Sequence, residues 1–273
     1  MTIHAVFFSP TGNTEHVAAY TAHRLAQVIE KNEDMSGCAP VLTDNFTTPQ
    51  KRYVARYYAV RDIVVFGVPV YAGRVPNKIL PQLKTLFYGN GTKAVVLVTF
   101  GNRSYGSALD ELAALLSVQG FCVIGKLAVG VGHAFANIGA GRPDREDFSV
   151  INTFCDNVQR KLMAGCGHKQ LVNEPVAPYY IPLREDGNKA SFLKAKPLTT
   201  CSCTACMICA AHCPMGAISK DDPKAVPGTC IKCHSCIVRC PQHAKYFADE
   251  DFLSHKAMLE KNCLTRIESA FFV

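Results

Sequence analysis

The chain has 273 residues, 48% of them hydrophobic, and a formal charge of +7. That length accommodates one ordinary domain plus a smaller one; no apolar run approaches the roughly 20 residues of a membrane helix, and the stretch from Met1 to Pro10 lacks the pattern of a secretory signal. A soluble, cytoplasmic protein is expected, and without a Lys/Arg stripe carrying interleaved aromatics no nucleic-acid partner is expected either.

From the N-terminus to about residue 165 the sequence alternates between two periodicities. Near-continuous apolar runs at Ile3–Ser9, Asp62–Val68, Lys93–Phe100 and Phe121–Val129, with a shorter one at Pro40–Thr43, predict strands buried on both faces of a parallel sheet. Helical spacing of apolar residues recurs at Glu15–Lys31, Pro76–Tyr88, Ser107–Gln119 and Arg145–Met163. This alternation predicts a doubly wound α/β domain with a five-stranded parallel sheet over residues 1–165.

The turn leaving the first strand reads Ser9-Pro10-Thr11-Gly12-Asn13-Thr14 and runs straight into a helix. Gly12 permits a tight bend, the hydroxyls can donate to a phosphate oxygen, and the helix start adds backbone N–H groups and partial positive charge. The loop has no Lys or Arg, and it lacks both the Walker lysine and the GxGxxG fingerprint. It therefore points to a terminal monophosphate, with an ordinary capped helix start as the plainer alternative. Two later loops fall on the same sheet edge, where open α/β folds bind ligands. They are Pro69-Val70-Tyr71-Ala72-Gly73-Arg74 and Thr99-Phe100-Gly101-Asn102-Arg103-Ser104-Tyr105-Gly106. Glycine-loosened backbone can meet the edge of a flat heterocycle there, and Tyr71 or Tyr105 can meet its face.

Residues 166–198 form a proline-punctuated connection, with Pro175, Pro178, Pro182 and Pro197, expected to run ordered over the surface. Nine of the fourteen cysteines then fall between Cys201 and Cys240. Two runs share one spacing: Cys203, Cys206, Cys209, Cys213 and a proline, then Cys230, Cys233, Cys236, Cys240 and a proline, 27 residues on. Soft thiolates in such sets select iron–sulfur clusters or zinc, and zinc knuckles usually show longer spacers or a histidine. His212, His234 and His243 are read as neighbours of the ligands. The other six cysteines, Cys38, Cys122, Cys155, Cys166, Cys201 and Cys263, fit a reducing, anaerobic cell interior. Residues 249–273 are expected as a C-terminal helix or tail, with Phe271 and Phe272 as an apolar anchor.

The cysteine runs resemble those of bacterial two-cluster ferredoxins, in which the fourth cysteine of each run ligates the other cluster. That resemblance implies a small α+β domain over residues 199–248. One [4Fe–4S] cluster would sit on Cys203, Cys206, Cys209 and Cys240, and the other on Cys230, Cys233, Cys236 and Cys213. The first 165 residues are similar to the flavodoxin family, whose cofactor is FMN. By position, Ser9, Thr11, Gly12, Asn13 and Thr14 would hold the FMN phosphate. Pro69 to Arg74 and Thr99 to Gly106 would hold the isoalloxazine ring. As a whole the chain looks like the flavodoxin–ferredoxin fusion proteins of anaerobes. The resemblance implies electron transfer between FMN, two clusters and a redox partner protein. The alternative is a flavin-dependent reductase of a small molecule such as a quinone, with His133 in the Gly130–Arg142 segment as proton donor.

Overall fold

The computed structural model describes residues 1–32, 39–165 and 176–273. Cys38, Cys166 and the opening of the connection at 166–175 lie outside the described residues. The first half contains β1 (Ile3–Phe7), α1 (Asn13–Asn32), β2 (Val41–Asn45), β3 (Arg56–Tyr57), β4 (Ile63–Pro69), α2 (Leu80–Thr85), β5 (Phe87–Tyr88) and β6 (Thr92–Phe100). Then come α3 (Ala108–Val118), β7 (Phe121–Gly130) and α4 (Arg145–Met163). The remainder holds β8 (Leu198–Thr199), α5 (Ile208–Ala211), α6 (Ser235–Val238), β9 (Lys245–Tyr246), α7 (Glu250–Asn262) and β10 (Ala270–Phe272).

The central sheet runs β10-β7-β6-β4-β1-β2, and the five strands from β2 to β7 are mutually parallel. The four strands β7, β6, β4 and β1 are largely apolar on both faces because helices cover both, whereas β2, expected to be buried likewise, is an edge strand with Leu42 and Thr43 exposed. Ile3, Ala5 and Phe7 pack with Val17 and Leu25 of α1 and Phe154 of α4, whereas Val6, Val64 and Phe66 face Leu83 of α2 and Leu112 of α3. Gly67 is required by close approach: a Cβ there would sit 3.1 Å from the Thr14 methyl and 3.3 Å from Leu97. The first turn of α1 is thus pressed onto β4, which fixes the loop before it.

Three further features differ from the expected pattern. Residues 76–88 do not form one helix: a 3₁₀ turn at Asn77–Ile79 precedes the six-residue α2, and Phe87–Tyr88 is extended. Pro81 in the first turn of α2 lacks the N–H that would continue a helix from upstream. The sheet has six strands, not five, and the tail expected as helix ends as the sixth. After α7 the chain returns to lay β10 antiparallel on β7, pairing Ala270, Phe271 and Phe272 with Ala128, Leu127 and Lys126. Three residues are too short to show a periodicity, and what recruits them is an otherwise open sheet edge.

A buried polar node fastens this return. Asp147, fully buried at the start of α4, accepts from Arg142 Nη2 at 2.6 Å, Arg142 Nε at 3.0 Å, Ser269 Oγ at 2.6 Å and Arg266 Nη2 at 3.2 Å. Arg142 also donates to Asn102 Oδ1 and to the Ile267 carbonyl. No helix among the described residues is long and apolar enough to cross a membrane.

Removing one partner from such a pair strands the other charge, at a cost of about 3–5 kcal/mol. Asp147→Ala should therefore lower unfolding free energy by that order and expose the ladder amides between β10 and β7 to hydrogen exchange. Unchanged denaturation with full amide protection would show that the node is dispensable.

Candidate functional site

The site lies at the carboxyl ends of β1, β4 and β6, where three loops meet. Ser9 and Thr14 are buried at the ends of the first loop. Ser9 Oγ accepts from the Glu15 amide at 2.9 Å, which leaves its proton free to donate outward. Thr14 Oγ1 lies 2.7 Å from Thr99 Oγ1, and Asn13 Nδ2 donates to the Gly132 carbonyl at 3.1 Å. Gly12 adopts φ +99°, a conformation glycine takes at little cost. Among the described residues, the amides of Thr11, Gly12, Asn13 and Thr14 and the Thr11 hydroxyl have no hydrogen-bond partner. A run of four orphan N–H groups at a helix N-terminus, with two available hydroxyls, fits a phosphate group.

The second loop turns tightly. Tyr71 and Arg74 exchange backbone hydrogen bonds at 2.9 and 3.1 Å, across Ala72 and Gly73 at φ +51° and +76°. Pro69 ends β4, and Val70 donates its amide to the Thr99 carbonyl, tying this loop to the third. The loops touch again at Gly106, where a Cβ would collide with the Gly73 carbonyl. Tyr71 is half-buried; burial pushes its phenol well above the usual range, and the Cys233 and Cys230 thiols add to that effect.

Several side chains expected at a flavin ring are engaged elsewhere. Arg74 forms a two-pronged pair with Glu111 at 2.6 and 2.8 Å, donates to the Ala177 carbonyl, and stacks 4.6 Å from the centre of the Tyr179 ring. Asn102 uses its amide hydrogens on the Cys263 and Thr265 carbonyls and its oxygen on Arg142 and the Ile267 amide. Its role is to hold the C-terminal return. Phe100 is buried in the core, with the half-buried Tyr105 ring 5.5 Å away. Arg103 lies 3.4 Å over the Tyr180 ring. The described part of the connection thus runs along the second and third loops, where Tyr180 also donates its amide to the Ala72 carbonyl.

The third loop is covered by the segment after β7: a Cβ at Gly101 would overlap the His133 ring. Burial lowers the His133 pKa to about 4, with the charges of His255, His234 and Arg103 acting the same way and Glu260 opposing. Its Nδ1 accepts from the Ala136 amide at 3.1 Å. The proton of this neutral imidazole is therefore on Nε2, so His133 can donate a hydrogen bond but is a poor acid near neutrality.

The cysteine repeat is written in the backbone as well as in the sequence. Residues 27 apart share the left-handed conformation: Ala205 and Lys232, Met207 and His234, Gly216 and His243, all with φ between +48° and +61°. The short helices α5 and α6 obey the same offset. So do two sulfur contacts, from the Ala217 amide to Cys213 Sγ at 3.2 Å and from the Ala244 amide to Cys240 Sγ at 3.3 Å. Alternating backbone of this kind turns N–H groups inward and makes an anion-binding concavity. Two hollows result. One, partly open to solvent, is lined by Cys203, Cys206, Cys209 and Cys240. The other, also partly open, is lined by Cys213, Cys230, Cys233 and Cys236. Burial raises the Cys233 thiol, holds Cys236 at about 12 and raises Cys209 and Cys230. Among the described residues, no three His, Cys, Asp or Glu side chains are close enough to hold a single metal ion.

Two arginines that carry no motif join the halves. Arg239, on the turn between Cys236 and Cys240, donates from Nε to the Pro10 carbonyl at 3.4 Å across 229 residues of sequence. Arg52 donates to the Pro214 carbonyl. Arg239 is not singled out in sequence, where it stands beside the cysteines and no local pattern joins it to residue 10. Beside this seam, Phe135, His234, Phe247, Phe252 and His255 form an aromatic cluster with ring centres 4.6–6.3 Å apart.

The His133 value predicts a pH effect. Its folded-state pKa lies below the usual 6.5, so the unfolded chain binds the proton first. The resulting stability is present above about pH 6.5 and is lost as pH falls toward 4. His133→Gln should flatten the slope of unfolding free energy between those limits, as read by urea titration. Equal slopes would mean that His133 is protonated in the folded protein.

No protein-family model and no curated protein sequence matches the chain. Among solved structures it is similar to a flavodoxin from Streptococcus pneumoniae TIGR4, at 20% identity over 59% of this chain and 99% of that one, with TM-score 0.41. It is also similar to a flavodoxin from the domain Archaea, at 13% identity over 60% and 99%, with TM-score 0.34. A third is the rubredoxin oxygen:oxidoreductase of the anaerobe Desulfovibrio gigas, at 17% identity over 60% of this chain and 36% of that one, with TM-score 0.38. Such distant likenesses carry no weight for function. Strand order identifies the fold: the parallel strands β2-β1-β4-β6-β7, which is the order 2-1-3-4-5 when these five alone are counted, make the first part of this chain a flavodoxin-like α/β fold.

Proposed function

We propose that the chain is an electron-transfer protein that holds FMN and two [4Fe–4S] clusters and exchanges electrons with a redox partner protein. When bound, the clusters supply single-electron transfer and the flavin supplies one- or two-electron transfer. One observation carries the reading: the phosphate loop, the ring loops and both cysteine hollows share a single seam. Arg239, between Cys236 and Cys240, reaches Pro10, and Phe135, two residues after His133 in the segment over the third loop, meets His234 of the second hollow with ring centres 5.4 Å apart. Fixed juxtaposition makes exchange between the centres intramolecular.

On this reading the amides of Thr11 to Thr14 and the Ser9 and Thr11 hydroxyls bind the FMN phosphate. The loop itself lacks a cation, and Arg239 supplies one at its rim. Backbone groups of Pro69 to Gly73 and Gly101 to Gly106 border the ring, and His133 offers it a neutral N–H. Tyr71, half-buried in the second loop, is favoured over Tyr105, whose ring packs against Phe100, to stack on it. Each hollow takes one cluster, with Cys240 serving the first run and Cys213 the second. A zinc ion would need all four sulfurs within about 2.3 Å of one point, whereas among the described residues no three candidate ligands lie close enough to hold a single ion. The neutral His133 favours a carrier over a small-molecule reductase with His133 as acid.

Protein prepared without oxygen should contain flavin, iron and acid-labile sulfide in the ratio of one FMN to two four-iron clusters; colourless protein free of sulfide would refute the proposal. Cys213→Ala should deplete the cluster held by Cys230, Cys233 and Cys236 and spare the other. Loss of the Cys203–Cys206–Cys209 cluster instead would overturn the crossed ligation.

Arg239→Ala should weaken FMN binding about tenfold or more while leaving riboflavin affinity unchanged, as measured by flavin fluorescence quenching on the cluster-loaded chain. A charge-assisted phosphate contact is worth about 1.5–3 kcal/mol, and riboflavin has no phosphate to lose. Parallel loss of both affinities would make Arg239 only a docking residue.

A further inference from the structure

We propose that Lys245 makes the two cysteine hollows electrostatically unequal and raises the reduction potential of the cluster held by Cys203, Cys206, Cys209 and Cys240. The inference rests on the cluster reading above and goes beyond it by ordering the two centres.

Lys245 is 3% exposed. Its ammonium donates to Thr199 Oγ1 at 2.7 Å and to the Pro223 carbonyl, and among the described residues no carboxylate pairs with it. Neutral acceptors alone do not offset the cost of burying an ammonium, so a buried lysine calls for a nearby negative charge. Lys245 lines the first hollow, and its charge favours the thiolate of Cys209. Four thiolates around a four-iron core carry net negative charge, and they are the counter-charge this site lacks.

The repeat sharpens the argument. Twenty-seven residues before Lys245 stands Ile218, 4% exposed, and it lines the second hollow. Equivalent positions thus present a cation to one quartet and a hydrocarbon to the other. Lys232 and Lys196 act on Cys230 of the second quartet, but Lys196 is exposed and Lys232 half-exposed, so water screens both. Lys245 also acts on Cys236 and so shifts the second centre in the same direction, from outside its hollow. A fixed, poorly screened cation stabilises the added electron, because net charge and burial are among the determinants of cluster potential.

The test is a redox titration followed by EPR on the anaerobically prepared full chain, comparing wild type with Lys245→Met and Lys245→Arg. The first-cluster signal is identified by its loss in Cys203→Ala. Lys245→Met should make that cluster at least tenfold harder to reduce, a negative shift of 59 mV or more for one electron, with a smaller shift at the second cluster. Lys245→Arg should stay near wild type. Equal shifts at both clusters, or none, would overturn the proposal. Lys245→Gln keeps a donor for Thr199 and guards against failed assembly. If neither neutral variant loads the first cluster, Lys245 serves assembly and the proposal also falls. Wild-type protein devoid of iron and sulfide would instead refute the cluster reading, which iron analysis detects before any titration.

Discussion

The arrangement depends on the return of the chain to its own sheet. Leaving the α/β layer after α4, the polypeptide builds both cysteine runs and then comes back as β10, hydrogen-bonded to β7. Asp147, Arg142, Asn102 and Arg266 bind that return from below. A segment tethered at one end samples a volume set by its linker. A segment tied at both ends, one of them inside a sheet, keeps one face against the loops of the first layer. The seam between Arg239 and Pro10, and the aromatic cluster around Phe135, are consequences of that closure.

The two hollows show a second constraint. Left-handed backbone is unfavourable for residues other than glycine, by roughly 1–2 kcal/mol each. Here Ala205, Met207, Lys232, His234 and His243 all adopt it, at positions repeated every 27 residues. At one of them the side chain adds a further cost, because His234 Nε2 is buried without a hydrogen-bond partner. Strain that recurs in register with the cysteines is a property of the loop geometry, and inference runs from such outliers toward function. Loops that turn amides onto sulfur gain most when the sulfur is negatively charged, as a thiolate is.

Much of this was legible in sequence because two signals were dense. Strands buried on both faces read as unbroken apolar runs, so β1, β4, β6 and β7 could be bounded to within a residue or two, and α4 was read at Arg145–Met163 as it stands. The cysteine spacing is an internal repeat that no accident of composition produces. What escaped was carried by single residues at long range. Arg74 and Asn102 occupy ligand-like loops, yet their side chains answer to Glu111 and to the C-terminal carbonyls. Nothing within ten residues of either discloses a partner further along the chain. The strand at Ala270–Phe272 was equally silent, since three residues define no period. Lys245 is likewise buried only by its place in β9, which no local pattern signals.

A last consequence concerns how the proposed sites depend on each other. The four residues of α6 are far too few for a helix to persist alone; the loops around Cys233 and Cys236 must hold it. Arg239 follows directly, so the cation offered to the phosphate loop is in place only when the cysteine loops are wrapped. The loop at Thr11–Thr14, in turn, has orphan amides and no positive side chain of its own. An anion there strengthens the attraction holding Arg239 across the seam, and by linkage whatever orders the cysteine loops strengthens the anion site equally. The flavin and cluster halves of the proposal are therefore thermodynamically coupled through one guanidinium, although no sequence motif spans the two.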